Sequence, residues 1–116
     1  EFSETGWAAI QHCQRPWAII DGHEKPEVRG AAGNGDGMRD KLARDEIDFC
    51  QCGFQRKDPI PLPYWDCFEN VVRHGMNADL AGSKLANSRR SAMDAARVTT
   101  KFVADLVAMR LTTVRT

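Results

Sequence analysis

No apolar run long enough to cross a membrane occurs in this chain of 116 residues, and no basic stretch leading into an apolar segment opens it. A membrane span and a secretory leader are therefore not expected, and the reading is a soluble, cytoplasmic chain. The start Glu1-Phe2, without methionine, fits a truncated chain better than a signal sequence. Cysteine is sparse, with four residues at 13, 50, 52 and 67, and none of them forms the C-x2-C or C-x4-C pair that marks a strong zinc site. A disulfide framework is not expected in a cytosolic protein. The glycines at 33, 35 and 37 lack the Lys-Ser/Thr that completes a phosphate loop, since Met38-Arg39 follows them. Nor do they carry the alternating carboxylates of a calcium hand. The stretch 21–37 reads instead as a Gly-rich surface loop. A cysteine nucleophile with His12 or His74 as its base has no local signature, and Asp66 and Glu69 sit where an amphipathic helix shows its wet face. An enzyme is not expected.

What is present describes one small domain. Hydrophobic residues make up 42% and charged residues 28%, which suits a single modest core and argues against disorder. The formal net charge is zero, yet the charges are divided unevenly. Residues 1–71 hold 8 Lys/Arg against 13 Asp/Glu, and residues 72–116 hold 8 against 3. A basic half of this kind gains by displacing counterions from phosphates, and it could equally meet an acidic protein surface.

The periodicity is helical throughout and needs no strand, so the fold class expected is all-α. Trp7 and Ile10, with Cys13 or Trp17, fall on one helical face, and the first helix should end before Pro16. The patch Trp17–Ile20 is too short to assign. Met38, Leu42 and Ile47 form a narrow stripe on a second helix over 38–48. The prolines at 59, 61 and 63 force an extended spacer, and Pro63 then suits the first turn of a helix running to His74, closed by Gly75. These signals divide the chain into an N-terminal helical and loop segment, 1–62, and a second unit, 63–116, within one compact domain. From Ser88 onward there is no Gly or Pro. Ala92, Ala95, Thr99, Phe102, Leu106 and Met109, widened by Val103 and Val107, repeat every three or four residues along a long C-terminal helix that would pack on the N-terminal part or across a homodimer.

Between Gly75 and Ala92 the spacing asks for two helices meeting at a corner. Asn77 can cap a short helix over 77–85, Ala81 and Gly82 are small where the helices approach, and Leu85 supplies an apolar contact. Asn87 tolerates a left-handed turn, and Ser88 caps the next helix. This order is that of a helix-turn-helix, whose second helix presents its first residues to the base edges of the major groove. The positions of Gly75, Met76, Asn77, Gly82, Leu85, Ala86, Ser88, Arg89 and Ala92 resemble the helix-turn-helix of sigma factor region four. The sequence departs from that pattern at Ala86, Asn87 and Gly82, where glycine, an apolar residue and alanine are usual. More remotely the arrangement is similar to the late-gene antiterminators of lambdoid phages. The resemblance implies sequence-specific binding of double-stranded DNA, transcription regulation and contact with RNA polymerase. Arg89 and Arg90 would then meet guanine or phosphate, with Lys84, Asn87, Ser88 and Ser91 as neighbouring contacts. The alternative is a protein-interaction module, an inhibitor or assembly adaptor, that binds no nucleic acid. For zinc, the candidate set is Cys50 and Cys52 with Cys13 and Cys67, and His12, His23 and His74 as further donors; Cys67, beside Phe68, equally suits simple packing.

Overall fold

The computed structural model of the chain describes residues 2–22 and 34–112, and the side chains within those spans except at 34–36. His23 and Gly33 lie outside the described residues. The architecture is all-helical: α1 spans Glu4–Ile20, α2 Asn34–Cys52, α3 Leu62–Val72, α4 Ala78–Ala81 and α5 Arg89–Leu111, with a single 3-10 turn at Phe54–Arg56. No strand occurs among the described residues.

Helix α1 starts where the Ser3 hydroxyl accepts the Gly6 N–H at 3.0 Å. It does not stop before Pro16 but runs through it to Ile20. A proline inside a helix removes one backbone bond and crowds the preceding turn, at about 3 kcal/mol. Burial offsets that cost here. Trp17, on the turn that follows, packs its ring 5.9 Å from Trp65 and 6.0 Å from Phe68. The inward face of α1 carries Gly6, Ala9, Ile10, Cys13, Pro16 and Trp17. Trp7, expected on that face, lies outside and stacks on Phe2.

Helix α1, α3 and α5 share the main core, in which Ile10, Trp17, Trp65, Phe68, Val103 and Val107 are buried together. Helix α5 contributes Val103, Ala104 and Val107 to it, and its preceding turns bury Ala92, Ala96 and Thr100. That face is turned from the expected stripe: Phe102 is 53% exposed and Met109 67% exposed. The small residues at 92, 96 and 104 let the α5 backbone approach its neighbours closely, and the larger apolar residues are left at the margin.

Helix α2 differs in the same way. It begins at Asn34, inside the stretch expected to be loop, and leaves Met38 and Leu42 58% and 60% exposed. The residues it turns inward are Ala43, Glu46, Ile47 and Cys50. Its C-terminus is fully satisfied. The last four carbonyls, which no helix can pair internally, go to Gly53 N–H, Arg110 Nη1, Ile60 N–H and Asp58 N–H, from residues 49, 50, 51 and 52 in turn at 2.7–2.9 Å. The extended 58–61 spacer and α5 thus close the end of α2. A second tie joins α1 to α3. Arg73 pairs with Asp21 and Glu69 at 2.5 Å each and covers the Trp17 ring. The hydrogen bond to Asp21 raises its pKa above the usual arginine value, with Glu69 contributing in the same direction.

Candidate nucleic-acid interface

The corner between α4 and α5 is built from residues 75–92. Gly75 takes φ +63°, which lets the chain turn back so that Met76 N–H reaches the Asn70 carbonyl at 2.9 Å. Helix α4 is a single turn, shorter than the expected 77–85. It ends at Gly82, where the Ser83 hydroxyl donates to the Leu80 carbonyl at 2.8 Å and Leu85 N–H to the Gly82 carbonyl at 2.9 Å. Asn77 occupies the cap position without the expected side-chain bond; its carbonyl instead accepts from Leu80 and Ala81. Asn87 is not left-handed either, since among the described residues only Gln55 and Arg56 have positive φ without being glycine.

Two features of the corner follow the sequence reading closely. Gly82 is small because it must be: a Cβ there would overlap the Ala92 carbonyl oxygen and lie 2.8 Å from its carbon. Ser88 caps α5, its hydroxyl accepting the Ser91 N–H at 3.1 Å. Behind them Cys67, Ala81 and Ala96 form a small second core, flanked by Val71, Met76, Ala78 and Leu85. The corner is therefore anchored on α3 and α5.

Lys84, Asn87, Ser88, Arg89, Arg90 and Ser91 are all solvent-exposed, and the stretch from Asn87 to Ser91 is exposed without interruption. Arg89 is oriented by Asp79, with Nε 3.1 Å from the carboxylate. Among the described residues no ion pair engages Lys84, Arg90, Arg97 or Lys101. The spacing of Arg90, Arg97 and Lys101, seven and then four positions apart, sets them in one row along α5. Arg97 and Lys101 were not singled out from the sequence, although that spacing was readable in it. The other side of the corner is different in charge. A groove of about 570 Å³ between α3 and α4 is lined by Asp66, Glu69 and His74 together with Leu80 and Lys84.

The four cysteines are reduced and buried, and they are not gathered at one point. Cys67 packs in the second core, where burial raises its thiol pKa. Cys52 stands two positions from Cys50 and so points away from it on the helix. Cys50 instead meets α1, where Cys13 is buried beside it. The hydrogen bond shared with Cys50, then burial, then the nearby charges push the Cys13 thiol far above its ordinary value. His74 is near Glu69, at 4.0 Å.

Comparison of the chain with protein-family models, with curated proteins and with solved structures gave no match. None of the described helices is long and apolar enough to cross a membrane.

Proposed function

We propose that this protein is a DNA-binding transcription regulator that presents the first turn of α5 to the major groove of a duplex. The observation that carries the proposal is the exposed, Ser88-capped start of α5, with Arg89 and Arg90 on a corner locked by the Gly82–Ala92 approach. Arginine offers a fork of donors that matches guanine O6 and N7, and Asp79 holds Arg89 ready at one edge of that fork. Lys84, Arg97 and Lys101 supply phosphate contacts on either side, and Asn87, Ser88 and Ser91 lie within the same footprint. Contact with RNA polymerase and antitermination belong to this proposal through the resemblance to sigma region four and the phage antiterminators, and a homodimer through the apolar stripe of the long C-terminal helix.

The competing proposal is a protein-interaction module. It draws on a specific observation, the apolar margin of Tyr64, Phe102 and Met109 left outside the core. A mobility shift with random and genomic duplex fragments separates the two. The DNA-binding proposal expects a shift that strengthens as salt is lowered; no shift at low salt leaves the interaction module.

A further inference from the structure

Helix α2 is oriented against its own hydrophobicity. It leaves Met38 and Leu42 in solvent and turns Glu46 and Cys50 inward, one helical turn apart, onto α1. Opposite them α1 places His12 and Cys13. The His12 Nε2 lies 2.5 Å from the Glu46 carboxylate. His12 Nε2, a Glu46 oxygen and Cys50 Sγ all fall within 4.8 Å of one another. Cys13 and Cys50 are both fully buried. A cavity of about 290 Å³ lined by His12, Glu46 and Ala43 opens beside the group.

Zinc binds imidazole nitrogen at about 2.0–2.1 Å and thiolate sulfur at about 2.3 Å, so tetrahedral donors stand about 3.3–3.8 Å apart. The His12–Glu46 separation of 2.5 Å is shorter than that range and all three donors lie within 4.8 Å of one another, so side-chain rotation of His12 and Glu46 brings them to it. The mixture of nitrogen, oxygen and sulfur donors suits a borderline-soft divalent ion better than calcium or magnesium, which take oxygen. We propose that His12, Glu46 and Cys50 bind a zinc ion between α1 and α2, with a solvent molecule as the fourth donor. Binding replaces the Cys50 thiol proton with a metal–sulfur bond and releases it to solvent. The ion clamps α2, whose own apolar burial is small, onto the core. This set takes Cys50 from the sequence-based candidates and leaves out Cys13, Cys52 and Cys67. It stands independently of the nucleic-acid reading.

Cobalt(II) titration of the reduced full chain, followed by visible absorption, tests the site. The expected result is intense tetrahedral d–d bands with a sulfur-to-cobalt charge-transfer band, displaced by zinc. His12→Ala, a change at a partly exposed residue, should weaken cobalt binding by more than the about 10–100-fold that loss of an outer-shell partner costs. Cys50→Ser should abolish the charge-transfer band or reduce it sharply, with helix content checked by circular dichroism. Cys52→Ser and Cys67→Ser should leave both bands in place. The proposal is overturned if the wild-type chain gives no such bands, if folded His12→Ala titrates as wild type does, or if Cys52→Ser or Cys67→Ser removes them.

Discussion

Replacing Gly82 by alanine should be among the most damaging single-methyl additions in this chain, and the reason is geometric. The new Cβ would overlap the Ala92 carbonyl oxygen and stand 2.8 Å from the carbonyl carbon and 3.2 Å from Ala92 Cα. All three atoms are backbone of α5, so no rotamer change relieves them. Ordinary carbon–carbon contact is about 3.5–4.0 Å, and α4 must therefore move away from α5 by about 1 Å. Overpacking of this kind costs about 1–3 kcal/mol, and a purely backbone clash belongs at the upper end. Alanine also loses less conformational freedom on folding than glycine, which returns about 0.4–1 kcal/mol. The net expectation is a destabilisation of about 2 kcal/mol, or a fall in Tm of about 8 °C at this chain length. Thermal unfolding followed by circular dichroism measures it. An unchanged or raised Tm would refute the claim that α4 and α5 touch through Gly82. Gly75 provides the contrast, because nothing lies within 4 Å of a Cβ placed there and its constraint is φ +63° alone.

Several other changes test separate parts of the fold. Gly75→Ala should lower stability by about 1–2 kcal/mol through the left-handed backbone, while Gly75→Asn should recover much of that in the same unfolding assay. Ser88→Ala should cost about 1 kcal/mol by freeing the Ser91 N–H, and equal stability would remove the cap from the account. Arg110 is only 13% exposed at its side chain and donates to the Cys50 and Asp58 carbonyls. Arg110→Met should therefore destabilise by about 1.5–3 kcal/mol in urea unfolding, and no loss of midpoint would contradict its role in closing α2.

The helical class was legible because periodicity is a local property, and the corner was legible because Gly82, Ser88 and Ala92 each have one economical reason to be where they are. What failed to show was rotation. Phe102 and Met109 fit a period of three and four as well as Val103 and Val107 do, and only the tertiary contact with α1 and α3 decides which set is buried. Likewise Met38 and Leu42 look like the core stripe of α2 until Glu46 and Cys50 are seen facing His12. Pro16 misled for a related reason, since local preference for ending a helix was overridden by the aromatic packing of Trp17. The candidate DNA contacts are contiguous in sequence and so could be named in advance; the cluster of donors between α1 and α2 joins residues 34 or more positions apart and could not.

The central proposal is tested most directly by the salt dependence of duplex binding, measured by fluorescence anisotropy for the wild-type chain and for Arg89→Ala/Arg90→Ala. With Lys84, Arg97 and Lys101 on phosphates and Arg89 and Arg90 on phosphates or base edges, the slope of log K against log salt should lie between about −2.7 and about −4.5, each phosphate contact contributing about −0.9. The double variant should bind at least about tenfold more weakly, its slope should be shallower by one to two phosphate contacts, and its unfolding midpoint should hold, since both side chains are exposed. Equal affinity and slope in wild type and double variant would contradict the account.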